Sequence, residues 1–127
     1  MLTNAKYGTL YFIPVTMGAD NVSQVLPADV VSIAQGLDEF IVENEKTARH
    51  FLSAIKHPKA IRDIKFCTLN KRTDDKDIPK LLDSLVAGKD VGLMSEAGCP
   101  GIADPGAKLA ALAHKKSIRV APLVGPS

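Results

Sequence analysis

Val91-Gly92-Leu93-Met94-Ser95-Glu96-Ala97-Gly98-Cys99-Pro100-Gly101-Ile102-Ala103-Asp104-Pro105-Gly106 changes character twice along its length. It opens as a short apolar run, Val91 to Met94, of the kind that forms a buried strand. It passes through a loop rich in glycine and proline, and closes on Asp104-Pro105, a capping residue followed by proline at the first helical position. The loop is longer than a connection needs. Its glycines let backbone amides and carbonyls approach a ligand closely, and it leads into a helix N-terminus, where amides point outward with a partial positive charge. A rigid strand-to-helix turn is the plain alternative. The stretch is not a phosphate loop, having neither Gly-Lys-Ser/Thr nor G-x-G-x-x-G.

The flanking chain repeats this alternation of apolar run and helical stripe. Leu10-Tyr11-Phe12-Ile13 reads as a strand ended by Pro14, and Pro27 to Gln35 as a helix closed by Gly36. Phe40-Ile41-Val42 is a second strand. Asn44 then caps a helix whose stripe is Ala48, Phe51, Leu52 and Ile55, and His57-Pro58 stops it. Ile64 to Leu69 reads as a strand and Asn70 to Lys76 as a polar loop. The next helix places Ile78, Leu81, Leu82, Leu85 and Val86 on one face, with Pro79 in its first turn and Gly88 past its end. The helix from Pro105 runs to about Lys116, burying Leu109, Leu112 and Ala113, and Ile118 to Ala121 is the fifth strand. Five short strands separated by four helical segments predict an α/β fold: a five-stranded, mainly parallel sheet with helices on both faces.

Composition fits one domain. The chain has 127 residues, with 46% hydrophobic and 24% charged. A net charge of +2 is too small to argue for nucleic acid by itself. The two cysteines, Cys67 and Cys99, read as free thiols of a reducing cytoplasm. No apolar run reaches the ~18 residues of a membrane span, so no membrane partner is expected. The histidines His50, His57 and His114 lack metal-ligand spacing, so no metal is expected either.

In parallel sheets ligands sit outside the carboxyl ends of the strands. The unusual sequence all falls there: Pro14 to Asp20, Glu43-Asn44, Leu69 to Thr73, Ser95 to Gly106 and Gly125-Pro126-Ser127. Thr16 can bond a ligand, and Gly18 allows close approach. Glu43 can accept a proton or orient a hydroxyl, although an acidic residue at a helix start is also favoured by the helix dipole. Arg49 follows about a turn and a half later. Cys99 has no histidine beside it in sequence and reads as a packing or ligand-contact residue, and Cys67 as core. Asn70-Lys71-Arg72 can meet phosphates or simply form a solvated loop.

Four stretches carry a resemblance. Leu10 to Gly18, Val42 to Arg49, Ser95 to Gly106 and Gly125-Pro126-Ser127 occur in the order seen in methyltransferases of the tetrapyrrole-methylase fold. The chain is most similar to the branch that methylates cytidine 2′-hydroxyls of small-subunit ribosomal RNA, with its "S-D-A-G-T-P-x-I-x-D-P-G" loop, its "A-E-D-T-R" stretch and its closing "G-P-S". The resemblance implies S-adenosylmethionine as methyl donor, bound in a cleft between two α/β domains. Gly98, Cys99, Pro100, Gly101, Ile102, Ala103 and Asp104 would hold the donor. Thr16, Gly18 and Arg49 would face the acceptor, with Glu43 as the candidate base. Cys99 stands where the family commonly has threonine, Glu96 and Asn44 replace acidic residues of its motifs, and the first loop reads Thr-Met-Gly-Ala-Asp.

The expectation is therefore a single domain over residues 1–127, the N-terminal half of a cytoplasmic, homodimeric enzyme whose C-terminal domain lies outside this chain. Its partners would be that domain and ribosomal RNA. Two alternatives stay open on sequence: methylation of a tetrapyrrole-like small molecule, and a non-catalytic binding or oligomerisation module.

Overall fold

The computed structural model describes residues 6–15, 27–96 and 105–123. Strand β1 (Leu10–Val15) is followed by α1 (Ala28–Gln35), β2 (Glu39–Val42) and α2 (Glu45–Ala54). Then come β3 (Lys65–Thr68), a 3-10 turn at Pro79–Leu82 that runs into the short α3 (Asp83–Val86), β4 (Val91–Glu96), α4 (Pro105–Lys115) and β5 (Val120–Pro122). The strands form one sheet in the order β3-β2-β4-β1-β5, and every pairing is parallel.

Alternation along each strand divides the core into two layers. Ile13, Phe40, Val42 and Met94 pack with Val30 and Ala34 of α1 and with Ala48, Phe51 and Leu52 of α2. Leu10, Ile41, Val91 and Leu93 pack on the other face with Leu82 and Leu85 and with Leu109 and Ala113 of α4. Helices cover both faces, as expected. The connections β1→β2 and β2→β3 move one way along the sheet and carry their helices on the first face. The connections β3→β4 and β4→β5 move the other way and carry theirs on the second. A single hand of crossover requires that exchange of faces.

Local chemistry accounts for several element ends. Asn44 accepts from the amides of Lys46 (2.9 Å) and Thr47 (3.3 Å), satisfying two orphan donors at the start of α2. At the amino ends of the strands, a side chain at Gly8 would place its Cβ 1.9 Å from the carbonyl oxygen of Lys89, so the chain passes only without one. Gly8 N–H donates to Leu85 O at 2.7 Å there.

Four expectations need correction. Pro14 does not end β1, which runs to Val15 with Pro14 in register with Ser95. In a parallel strand alternate residues bond opposite neighbours. The Leu10 amide bonds Arg119 and the Phe12 carbonyl takes the Leu123 amide, both toward β5. Pro14 is next in that series, where β5 has already ended at Pro122, so its missing N–H costs no ladder bond. The helix over 78–86 is shorter and tighter than its apolar stripe predicts. It is 3-10 as far as Leu82, so Ile78, Leu82 and Leu85 are buried, Leu81 is half-buried and Val86 is 44% exposed. The helix after Asn44 ends at Ala54, before His57-Pro58. The fifth strand starts two residues late, at Val120, with Ile118 buried in the turn before it.

Candidate functional site

Of the stretches singled out by sequence, the carboxyl edge of the sheet holds Glu43-Asn44, Leu69 to Thr73, and the described ends of β1 and β4. β1 and β4 are neighbours in register to their last residues, Val15 beside Glu96, so the chain leaves the sheet at two adjacent points. It returns at Pro105, the first residue of α4. Thr16, Gly18 and the whole run Gly98 to Asp104 lie outside the described residues.

Connections change direction between β2 and β4, and a crevice is expected at such a switch point. A cavity of about 30 Å³ opens there, lined by Phe12, Glu43, Leu69, Leu93, Met94, Pro105 and Gly106. Its walls come from the middle of β1 and β4, the residues just past β2 and β3, and the start of α4. Glu43 is exposed and supplies the carboxylate of this lining. It forms no ion pair among the described residues. The structure therefore places Glu43 on this cavity.

Arg49 is placed differently. It lies on the exposed side of α2 and is bonded to Glu45 one turn back, Nη2 to Oε1 at 2.8 Å. That contact is an i,i+4 helix pair in water, and Arg49 is not part of the cavity lining. Cys67 is partly buried, and loss of solvent, reinforced by the charge of Glu39, pushes its thiol above the ordinary range. A thiol held protonated is a poor nucleophile; Cys67, expected in the core, is half-buried at the margin of the second layer. Among the described residues no three His, Cys, Asp or Glu side chains stand together as a metal cluster would require. No described helix is long and apolar enough to cross a membrane.

Sequence reasoning found one further feature only in part and passed over another. A second cavity of about 240 Å³ adjoins the first, lined by Asn70, Lys71, Thr73, Asp75, Ile78, Pro105 and Lys108. The Asn70-Lys71-Arg72 stretch carried a signal for it, but Lys108 carried none. The other feature lies at the opposite edge. There Glu39 is buried with its carboxylate facing the Ser84 hydroxyl, 2.8 and 3.0 Å from its two oxygens. Beside it Asp38 accepts from Lys59 and Lys89, each at 2.9 Å. These two bonds hold the Asp38 carboxyl at about 2, well below the usual range, and the same contact raises the Lys89 ammonium.

No family model matches the chain. Curated relatives do. The chain is 33% identical over 97 residues to the ribosomal RNA small subunit methyltransferase I of Borrelia garinii subsp. bavariensis, covering 76% of this chain and 41% of that protein. It is 30% identical over 118 residues to the protein of that name from Halalkalibacterium halodurans, covering 93% of this chain and 38% of the relative. The protein of that name from Escherichia coli O157:H7 is 29% identical over 119 residues, covering 94% and 39%. This chain is a homologue of these methyltransferases. It spans about two fifths of their length. The tetrapyrrole-methylase resemblance and the α/β sheet with helices on both faces agree with that relationship.

Proposed function

We propose that this chain is the N-terminal domain of a two-domain, S-adenosylmethionine-dependent methyltransferase that modifies a ribose 2′-hydroxyl of small-subunit ribosomal RNA. The observation that carries the reading is the reach of the similarity: it extends over 93% of the chain in a relative named for that RNA. The geometry supports it, because the described parts of three of the stretches matching the methyltransferase motifs, at Val15, Val42 to Asn44 and Ser95-Glu96, meet one edge of one sheet.

The described residues suit part of a donor site. Phe12, Leu69, Leu93 and Met94 offer apolar walls, and Glu43 offers a carboxylate near which a cation is favoured. A pocket for a whole nucleoside-sized ligand needs roughly 300 Å³ or more. The cavity of about 30 Å³ is a tenth of that, and is proposed as the floor of such a site. Gly98, Cys99, Pro100, Gly101, Ile102, Ala103 and Asp104 are proposed to hold the rest of the donor, with a second domain closing the cleft.

S-adenosylmethionine, when bound, supplies a methyl group on a positively charged sulfur. The protein's task is to hold the acceptor oxygen in line with that methyl and to take the hydroxyl proton as the new O–C bond forms. Positioning supplies much of the rate in such a displacement, and a placed base adds to it. Glu43 is proposed as that base, with Thr16 and Gly18 shaping the acceptor side and Arg49 meeting the RNA backbone. The whole protein is proposed to act as a homodimer in the cytoplasm.

Calorimetric titration of S-adenosylmethionine into the whole protein tests the donor. Heat of binding is expected, and its absence at millimolar donor would sink the reading. Mapping ribose methylation in small-subunit RNA from cells with and without the gene tests the acceptor. Loss of a 2′-O-methyl is expected, whereas an unchanged map rules this acceptor out.

A further inference from the structure

The second cavity has the chemistry of a donor-rich notch. Lys71 makes no ion pair among the described residues. The Asn70 side chain spends its oxygen on the Arg72 amide at 2.8 Å and leaves its NH₂ undonated within the described chain. Thr73 Oγ1 accepts from the Asn70 amide at 3.0 Å, and its own proton remains to give. Among the described residues Lys108 is held only by Asp75, at 3.4 Å across an exposed surface, the Asp75 side chain being 83% open to water. Against these donors stands a single carboxylate, that of Asp75. About 240 Å³ is many times the ~10–15 Å³ that one water needs, ample for a tetrahedral anion. Pro105 lines this cavity and the Glu43 cavity alike, so the two open side by side on the same edge.

We propose that this notch seats a backbone phosphate of the RNA strand next to the nucleotide presented at Glu43, an assignment that rests on the RNA-methyltransferase reading. Lys71 and Lys108 supply charge, and Asn70 and Thr73 supply directed hydrogen bonds. Lys108 exchanges Asp75 for the phosphate when RNA arrives. A phosphate contact of this kind fixes strand register without reading sequence. The notch thus sets which ribose reaches the carboxylate, and selection of the base is left to other surfaces.

The test uses the whole protein and a fluorescently labelled, unmodified small-subunit RNA transcript, with binding followed by anisotropy across a salt series. Lys71→Ala with Lys108→Ala is expected to weaken RNA binding about tenfold at moderate salt. It should also reduce the slope of log affinity against log salt by about 0.7, the amount for one phosphate on a single strand. Asp75→Asn removes the competing carboxylate and is expected to tighten binding two- to threefold, an effect that mere loss of structure would not produce. Donor binding by calorimetry should be unchanged in every variant, which also shows that each is folded. If the wild type binds donor and RNA while the lysine variant keeps its affinity and salt slope, the notch is wrong and the methyltransferase reading stands. If Asp75→Asn fails to tighten binding, the partner exchange at Lys108 is wrong. If the wild type binds neither donor nor RNA, both proposals fall together.

Discussion

At the amino ends of the strands, charged groups satisfy one another: Asp38 holds Lys59 and Lys89, and Glu39 lies buried against the Ser84 hydroxyl. At the carboxyl ends, Glu43 and Lys71 line cavities with no ion-pair partner among the described residues. Both edges are built by the same five strands, so strand propensity cannot explain the contrast. A charge that is already paired and partly desolvated contributes to folding. One that is left facing a cavity contributes little to folding and is free for a ligand. Substitutions at the two edges should therefore separate stability from activity.

The largest effect expected is at the carboxyl edge. If Glu43 takes the acceptor proton, Glu43→Gln in the whole protein should lower kcat about 100-fold, about 2.7 kcal/mol of barrier. Its unfolding midpoint in urea should stay where it was, because the side chain is exposed and has no ion pair among the described residues. A normal kcat would remove Glu43 from the chemistry, and a large loss of stability would break the contrast between edges.

Ser84→Ala probes the amino edge. It removes the hydroxyl bonded to a carboxylate that is 3% exposed. Leaving that group short of a donor should cost about 1–3 kcal/mol, read as a lower urea midpoint, with donor affinity unchanged. Lys89, 3.7 Å from Glu39, limits the loss.

Asp38 gives the same edge a pH signature. Its folded carboxyl sits at about 2 against an ordinary 3.8. A depressed acid stabilises the fold above its unfolded value and loses that contribution as pH falls from about 4 through 2. Wild type should exceed Asp38→Asn in stability at pH 6 by about 1 kcal/mol or less, since the ion pairs are partly exposed and screened. The difference should close as pH approaches 2. Equal stabilities at pH 6 would show that the pairs add nothing.

The contrast also explains what could be read from the sequence. Strands and helices were legible because burial imposes a period on them: Ala48, Phe51, Leu52 and Ile55 announce α2, and every one is buried. At the carboxyl edge the start of α2 was legible because Asn44, a capping residue, marks it locally. Pro14 misled because local propensity favours a break there, and only the position of β5 makes proline harmless. Glu39 and Ser84 are 45 residues apart, and Lys108 and Asp75 are 33 apart. Nothing local announces such pairs, since the packing of helices and turns on the sheet brings them together. Val86 misled because a 3-10 turn rotates the stripe away from the spacing of an α-helix.

The smallest effect concerns how three helices end at the amino edge. α2, α3 and α4 close with the same arrangement: an amide bonds back across the last turn from the residue after a left-handed one. His57 N–H donates to Leu52 O at 3.0 Å, Lys89 N–H to Ser84 O at 2.9 Å and Ile118 N–H to Ala113 O at 2.8 Å. The left-handed residues are Lys56 at φ 57°, Gly88 at φ 97° and Ser117 at φ 63°. Only Gly88 is of the type that adopts this region without its Cβ crowding the backbone. A side chain there costs roughly 1–2 kcal/mol, and part of that is offset because glycine loses more freedom on folding. Lys56→Gly and Ser117→Gly should each therefore stabilise the fold by about 0.5–1 kcal/mol. Both lie away from the carboxyl edge, so donor binding and turnover should not change. Gly88→Ala should destabilise by a similar amount, with the Lys6 carbonyl 3.2 Å from the added carbon. Stabilisation at Lys56 and Ser117 accompanied by altered turnover would mean that the two edges communicate through the helices, and the separation of folding from function would no longer hold.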